Sequence, residues 1–340
     1  MQDVEYIVVS VDTRCLHSRN HPAAQCAKFG VRGKRPYIAT MHAGIQSNMI
    51  RPMLNRRHFI IASAFSLPGI LQANPTRSQR LISSIARLEK INGGRLGVAV
   101  VDSGNGERVE HRGHERFPMC STFKFLLAAA VLQRVDRRQE ALTRVVAIPS
   151  KPLLFNSPLT EPNAGGTMSV EALCHAILTR SDNTAANLLL EMMGGPPGIT
   201  GFCRSLGDEV TRLDRMELSL NESLEGDIRD TTTPSAMADD LRSVLLGHVL
   251  SVQSRTQLLR WMESSETGLD RLRARLPTAW RTADKTGANG RHTSNDVALL
   301  SPPGRAAVVV SAYITQCLGP ESKRAAMLAE VGGLVRAWVG

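Results

Sequence analysis

The sequence predicts an α+β fold in which an antiparallel sheet flanked by helices forms from the two ends of the folded chain, around an all-helical segment. Strand-like runs occur near residues 96–111 and again near 283–314, and the long stretch between them carries helical patterns. Apolar residues make up 42% of the 340 residues, which is enough to fill a substantial core. We expect an active site where the two parts meet.

A helix and a hairpin are predicted first. Apolar residues recur at helical spacing over residues 78–92, and this stretch ends at Gly93-Gly94, a typical helix stop. Two short strands follow at 96–102 and 108–111 around a Gly-Asn-Gly turn, which indicates a hairpin.

Helical patterns then dominate, before strands return. Helices are predicted at 123–135, 170–190, 235–246 and 254–262, strands at 283–286, 296–300 and 306–314, and a closing amphipathic helix at 322–339. The long irregular stretch is 214–234. We therefore predict a sheet domain of residues 75–118 and 264–340, packed on a helical domain of residues 119–263.

An export signal is predicted near the N-terminus. Arg56-Arg57 precedes an apolar run at 60–71 and the small residue Ala73. The run is too short to span a bilayer. We therefore expect the segment to be cleaved, which would leave no membrane anchor. We predict a twin-arginine signal peptide at 53–74, recognised by the twin-arginine export machinery, and a periplasmic or secreted protein. The alternative is a buried helix with a fortuitous arginine pair. On this reading Met53 is the start, and residues 1–52 are an extension without a structural role.

The charge of the chain does not indicate a nucleic-acid partner. The formal net charge is +10, but residues 1–73 hold nine of the 41 basic and only three of the 31 acidic residues. The remainder has 32 basic and 28 acidic residues, which is ordinary for a folded domain, and no basic stripe interleaved with aromatics is visible. We expect a monomer that does not bind nucleic acid.

Cysteine spacing gives no sign of a metal centre. Four cysteines lie outside the predicted extension: Cys120, Cys174, Cys203 and Cys317. There is no C-x-x-C pair and no histidine at ligand spacing, which argues against a zinc site and a metal-dependent hydrolase. Sequence alone does not pair these cysteines. No cofactor is expected.

The first candidate for chemistry is a serine and lysine pair at the start of an apolar helix. Ser121 and Lys124 are three residues apart, so their side chains lie on one helical face and can exchange a proton. Taken alone the motif is weak, because a capping serine ahead of a lysine with a buried stem has the same pattern.

Two further motifs support a catalytic role for Ser121 and Lys124. Ser181-Asp182-Asn183 and Lys285-Thr286-Gly287 follow in that order, although each alone would also suit a helix cap or a strand end. The trio S-x-x-K, S-D-N and K-T-G resembles that of the class A serine β-lactamases. The resemblance covers nearly all of the chain after the predicted signal and none of residues 1–52. It implies catalytic roles for Ser121, Lys124, Ser181 and Lys285, and substrate binding by Asn183.

A fourth element resembles the omega loop of the same family, here residues 214–230. Glu217 matches the carboxylate that activates water to release the acyl-enzyme, and Asn221 matches the amide that holds this water. Arg215 and Asp230 match the ion pair that closes the loop. A surface loop with solvated charges is the alternative.

The resemblance also implies supporting positions. Asn187 matches the residue that steadies the loop glutamate, and Ala288 with Ser121 would supply the N–H groups of an oxyanion hole. Thr286 would bind the substrate carboxylate. Arg271 is our candidate for the same task, because the position at which the family often has an arginine is Ser294 here.

The sequence departs from the family at several places. Asn156 replaces a gatekeeping aromatic residue, for which Phe155 could partly substitute. Cys120 matches one half of a carbapenemase disulfide whose other half is Asn289 here, so carbapenem hydrolysis is not implied. The family partner of Cys174 is replaced by Ala128, which predicts a buried free thiol.

The resemblance thus implies hydrolysis of penicillins and cephalosporins through a Ser121 acyl-enzyme that is deacylated with the help of Glu217. Two alternatives share the motif trio. A penicillin-binding D,D-peptidase typically lacks the omega-loop glutamate, and a penicillin sensor would stay acylated and would need a membrane tether.

Overall fold

The computed structural model describes residues 74–340. The predicted extension at 1–52 and all but the last residue of the predicted signal at 53–74 lie outside the described residues. In the part that is described, none of the helices combines the length and the apolar character that a membrane crossing requires.

The described chain forms helices and strands whose bounds follow. The helices are α1 Arg77–Asn92, α2 Phe123–Asp136, α3 Val170–Thr179, α4 Asn183–Met192, α5 Pro196–Ser205, α6 Pro234–Leu246, α7 Val252–Glu263 and α8 Glu321–Val339. The strands are β1 Arg95–Asp102, β2 Arg108–His111, β3 Phe117–Pro118, β4 Val145–Ala147, β5 Thr167–Ser169, β6 Thr231–Thr232, β7 Arg281–Ala288, β8 Ser294–Ser301 and β9 Val308–Thr315.

Five strands from both ends of the described chain form one antiparallel sheet in the order β2-β1-β9-β8-β7. Strand β1 pairs with β9 along its whole length, so the first strand and the last strand of residues 74–340 are neighbours. The helices α2 to α7 come between β3 and β7 in the sequence. The predicted α+β class, with a sheet built from both ends, is confirmed.

Side chains on the two faces of the sheet enter two hydrophobic cores, because successive residues of a strand point to opposite faces. On β1, Val98 and Val100 belong to the core beneath α1 and α8, whereas Ala99 and Val101 belong to the larger core that continues into the helical segment. Helix α2 is the centre of that larger core, and every residue from Phe123 to Leu132 is buried.

A short pairing of β3 with β6 holds two distant parts of the chain together. Phe117 pairs with Thr232 and Pro118 with Thr231, and the N–H of Met119 donates to the carbonyl of Asp230 at 2.9 Å. The residues just before Ser121 are therefore bonded to the residues that end the predicted omega loop.

Two helix predictions need correction. The single helix expected at 170–190 is two helices, because Ser181 has a positive φ of 56° and Asp182 begins α4 as its N-cap, accepting from the N–H of Ala185. Helix α5 was not predicted, since it begins with Pro196-Pro197-Gly198, residues that favour turns. Proline suits the first turn of a helix because its missing N–H has no helical partner there.

Candidate active site

Ser121 lies in a 3-10 turn, Cys120–Thr122, that leads directly into α2. The φ of Cys120 is 45°, in the left-handed region, where a residue other than glycine costs about 1–3 kcal/mol. Strand β7 passes very close to this turn. A Cβ at Gly287 would lie 2.7 Å from the Met119 carbonyl oxygen and 3.1 Å from the Ser121 nitrogen, so only glycine fits there.

Lys124, the second residue of α2, is fully buried, and its ammonium group faces four oxygen atoms. Its Nζ lies 2.6 Å from Asn183 Oδ1, 2.9 Å from the Ser181 carbonyl oxygen and 2.9 Å from Glu217 Oε1. The Ser181 hydroxyl is slightly farther, at 3.4 Å. The lysine therefore joins the S-x-x-K turn, the S-D-N turn and the loop glutamate in one buried cluster.

The Ser181 hydroxyl lies between two lysines. Besides Lys124, the Nζ of Lys285 lies 3.2 Å from Ser181 Oγ and also donates to the Thr286 carbonyl oxygen at 2.7 Å. Burial, together with the positive charges of Lys124 and Arg271, holds the pKa of Lys285 well below its usual range. An amine of this kind can accept and return a proton, which makes Ser181 a short bridge between two proton carriers.

Glu217 is held by two asparagines. The Asn187 carboxamide bonds to both backbone groups of Glu217, accepting from its N–H and donating to its carbonyl oxygen, each at 2.9 Å. Asn221 Nδ2 donates to Oε2 of the carboxylate at 2.6 Å. The other oxygen, Oε1, lies 2.9 Å from Lys124 Nζ and 3.5 Å from the Ser121 hydroxyl. The carboxylate is thus fixed between the serine and the loop.

Arg215 and Asp230 join the two ends of the loop. Arg215 Nε donates to Asp230 Oδ2 at 2.6 Å, and Asp230 Oδ1 accepts from the N–H groups of Asp214 and Arg215. Asp230 is 1% exposed. Arg215 also pairs with Glu222 and, at 3.7 Å, with Asp227. The predicted ion pair is therefore formed and buried.

A cleft of about 400 Å³ opens in front of these groups. Seven of the predicted site residues line it: Ser121, Ser181, Asn183, Asn221, Arg271, Thr286 and Ala288. Lys124, Glu217 and Lys285 are buried and bonded to lining residues, and Asn187, Arg215 and Asp230 support the loop from behind. The fold brings all the predicted positions together around one cleft.

The guanidinium group of Arg271 is turned into the wall of the cleft. Its Nη1 donates to the carbonyl oxygens of Gly287 at 3.1 Å and Asn295 at 2.8 Å, and its Nη2 contacts Glu321 Oε1 at 3.1 Å. The Ser294 hydroxyl donates to the same Glu321 oxygen at 2.7 Å. The arginine therefore lies beside the substrate space with most of its donors bound to the protein.

The cleft also includes Asn156 and Phe155, which the sequence marked only as a departure from the family, and Thr267, which no sequence motif indicated. Asn156 Nδ2 donates to the Ser181 carbonyl oxygen at 3.0 Å, so the residue that replaces the gatekeeping aromatic has a bond of its own to the S-D-N turn. Thr267 Oγ1 lies 2.6 Å from Thr286 Oγ1. Phe155 lines the cleft and is 82% exposed, which leaves its ring free to meet a substrate.

All four cysteines of residues 74–340 are buried free thiols. The prediction of a buried free thiol at Cys174 is confirmed. Burial raises the pKa of the Cys120 thiol to about 12, so this sulfur next to the nucleophile is a packing group that stays protonated at neutral pH.

Comparison with known proteins agrees with this geometry. The model of the β-lactamase enzyme family matches residues 80–339. β-Lactamase L2 of Stenotrophomonas maltophilia is 44% identical over 303 residues, which cover 85% of this chain and all of that protein. β-Lactamase CTX-M-8 of Citrobacter amalonaticus is 41% identical over 280 residues, 81% of this chain and 94% of that protein.

Solved structures show the same likeness. An ancestral class A β-lactamase is 56% identical with a TM-score of 0.74, and the match covers 76% of this chain and 99% of that one. A β-lactamase from Xanthomonas campestris is 48% identical with a TM-score of 0.77, covering 78% and 99% of the two chains. The matched family model, these identities and the cleft around Ser121 lead to one conclusion: the chain belongs to the family of class A serine β-lactamases.

Proposed function

We propose that this chain hydrolyses the β-lactam amide of penicillins and cephalosporins through an acyl-enzyme on Ser121. One observation carries the proposal. The Ser121 hydroxyl lies 3.5 Å from a carboxylate oxygen of Glu217, whose other oxygen accepts from Asn221. A nucleophile and a base suited to activate water therefore share one cleft, which is what turnover of an ester intermediate requires.

Acylation begins when Ser121 Oγ attacks the lactam carbonyl carbon. Its proton passes either to Lys124 or to Glu217 through a water molecule, and the contact of 2.9 Å between these two residues supports an exchange between them. The carbon–nitrogen bond then breaks. Ser181 gives a proton to the leaving nitrogen and is restored by Lys285, whose lowered pKa and distance of 3.2 Å suit a short relay.

The backbone N–H groups of Ser121 and Ala288 would stabilise the oxyanion. This assignment is supported by the close approach of β7 to the nucleophile turn, where a Cβ at Gly287 would be 3.1 Å from the Ser121 nitrogen. Thr286 lines the cleft and would bind the substrate carboxylate, while Asn183, whose Oδ1 is bound to Lys124, would contact the rest of the substrate.

Arg271 remains our candidate for a second interaction with the substrate carboxylate. It lines the cleft, and its positive charge is close enough to lower the pKa of Lys285. Because Glu321 and two carbonyl groups already bind its guanidinium, we expect Arg271 to act mainly through its charge and by holding β7 in place.

Deacylation would use Glu217 as the base. The Asn221 carboxamide supports this role: Nδ2 bonds to the carboxylate, while Oδ1 is buried with no hydrogen-bond partner in the described residues and can accept from a water molecule. Glu217 takes one proton of that water, and the oxygen attacks the ester carbon. The bond to Ser121 Oγ then breaks, and the proton passes from Glu217 to the serine oxygen, which restores both groups. Asn187 would keep the carboxylate in place through its two backbone bonds.

The test uses a chromogenic cephalosporin and intact-protein mass spectrometry. The parent chain should convert many equivalents of drug, and Ser121→Ala should convert none and take up no label. Glu217→Ala should hydrolyse little and accumulate an adduct with the mass of one drug on Ser121. The matched control is Glu225→Gln, an exposed carboxylate in the same loop, which should behave like the parent.

Two outcomes would contradict the proposal. A parent chain that stops after one equivalent with a persistent adduct would fit a penicillin-binding peptidase or a sensor. Steady-state turnover in Glu217→Ala equal to that of Glu225→Gln would remove the deacylating role from Glu217.

We also propose that the mature chain consists of a sheet domain (75–118 and 264–340) and a helical domain (119–263).

We propose, in addition, that residues 53–74 direct export through the twin-arginine machinery. The pair Arg56-Arg57 and the short apolar run support export. Replacing both arginines by lysine should abolish activity in the periplasmic fraction while activity in the cell lysate remains. Equal periplasmic activity would refute the signal.

A further inference from the structure

Three potential metal ligands meet behind helix α5, away from the cleft. Cys203 is in the last turn of α5, Asp208 is in the loop that follows, and Asp240 is in the middle of α6. The Cys203 Sγ and one carboxylate oxygen from each aspartate all lie within 4.8 Å of one another. None of the three lines the cleft that contains Ser121.

The two carboxylates are buried and incompletely bonded. Asp208 is 8% exposed and Asp240 is 2% exposed. Asp208 Oδ1 accepts from the N–H groups of Val210 and Thr211, but Oδ2 of Asp208 and Oδ2 of Asp240 have no hydrogen-bond partner among residues 74–340. A buried carboxylate oxygen without a partner is unfavourable, and these two belong to side chains that also repel each other.

No basic side chain in residues 74–340 forms an ion pair with either carboxylate. The nearby Arg204 instead donates to the carbonyl oxygens of Asp208 and Thr211 and pairs with Glu209 at 3.4 Å. The two carboxylates are therefore not compensated by an ion pair within residues 74–340.

A path from solvent reaches the cluster. Asp208 and Asp240 line a pocket of about 320 Å³, and the acidic side chains of Glu209 and Asp239 line the same pocket. Glu209 and Asp239 are paired with Arg204 and Arg108, so the carboxylates of Asp208 and Asp240 are the acidic groups of this pocket that lack an ion pair in residues 74–340.

We propose that Cys203, Asp208 and Asp240 bind one divalent cation of the zinc class. Zn²⁺ takes both thiolate and carboxylate ligands, and three protein ligands with a water molecule complete a tetrahedral site. Mg²⁺ and Ca²⁺ prefer sites made of oxygen alone. On binding, the Cys203 sulfur bonds to the ion and releases its proton to solvent. The ion would tie α5 to α6 and take no part in hydrolysis at Ser121.

The test is a titration of reduced, chelator-treated protein with Co²⁺, whose bond to a thiolate gives an absorption band in the near ultraviolet. The band should saturate at one Co²⁺ per chain and disappear when Zn²⁺ is added, and Zn²⁺ should raise the thermal unfolding temperature. Cys203→Ser should abolish the band. Asp240→Asn should weaken Co²⁺ binding at least about 10-fold.

Controls separate binding from folding. Cys174→Ser removes another buried free thiol and should keep the band, and every variant should hydrolyse a chromogenic cephalosporin like the parent. Without metal, Asp240→Asn should unfold at the parent temperature or above it, because one of two facing carboxylates is gone. The proposal is overturned if no band forms, if Cys174→Ser also loses it, or if Asp240→Asn binds Co²⁺ as tightly as the parent.

Discussion

The buried pair at the base of the omega loop offers a sharp test of how the loop is held. Replacing Asp230 by alanine removes the acceptor of three hydrogen bonds, from the N–H groups of Asp214 and Arg215 and from Arg215 Nε at 2.6 Å. Asp230 is 1% exposed, so these donors lose their partner in a place that water reaches poorly.

The expected loss of stability depends on the partners that Arg215 keeps. Breaking a buried ion pair costs about 3–5 kcal/mol when the surviving charge is left alone. Arg215 keeps Glu222 and Asp227 as partners, so its charge stays compensated and the cost falls to the lower end of that range. We expect Asp230→Ala to lower the free energy of unfolding by about 3 kcal/mol, equivalent to a Tm decrease of roughly 6–12 °C in a domain of this size.

The assay is thermal and denaturant unfolding followed by circular dichroism, with hydrolysis measured in parallel. Glu225→Ala is the matched control, because Glu225 is an exposed residue of the same loop and the loss of its side chain should change stability little. The kcat of Asp230→Ala should also fall, since the loop carries Glu217. If Asp230→Ala unfolds with the same free energy as Glu225→Ala, the loop is not held by this pair.

Three further predictions follow from single contacts. Gly287→Ala places a Cβ 2.7 Å from the Met119 carbonyl oxygen, so stopped-flow acylation should slow by about 100-fold; an unchanged rate would contradict the fit of β7. The hydrogen bond from Arg229 lowers the pKa of Asp227 from 3.8 to about 2. The Asp227 carboxylate therefore stabilises the fold fully above pH 3.8, and this stabilisation is lost as the pH falls through 2. The Tm difference between the parent and Asp227→Asn should therefore shrink between pH 4 and 2, and a constant difference would refute it. Asn295→Ala removes the Nδ2 donor from the carbonyl oxygens of Pro118 and Met119, of which Met119 keeps the Thr122 donors, and should cost about 1–2 kcal/mol in denaturant unfolding, against no change if water replaces the amide.

Much of the fold was accessible from the sequence because its signals are local. The short apolar runs of β1, β8 and β9 and the helical spacing of α1 and α8 depend on neighbouring residues, and the structure agrees with each to within a few residues. The break at Ser181 was missed, since a positive φ in a residue other than glycine leaves no mark in hydrophobic spacing.

The sequence predicted which residues form the site but not how their side chains are oriented. The order of the motifs predicted that Ser121, Lys285 and Glu217 would meet. It did not predict that Arg271 turns toward Glu321 and the Gly287 carbonyl oxygen, because that orientation depends on partners that lie 50 and 16 residues farther along the chain. Contacts of this kind depend on the packed structure.

The pairing of β3 with β6 fixes the nucleophile, which is acylated, to the loop that carries the carboxylate for deacylation. The strand before the nucleophile and the strand after the omega loop are fixed to each other by backbone bonds, with Met119 bound to Asp230. These bonds do not involve the exposed residues 224–226 in the outer part of the loop. Residues 224–226 are therefore where side chains can change without separating the nucleophile turn from the end of the loop.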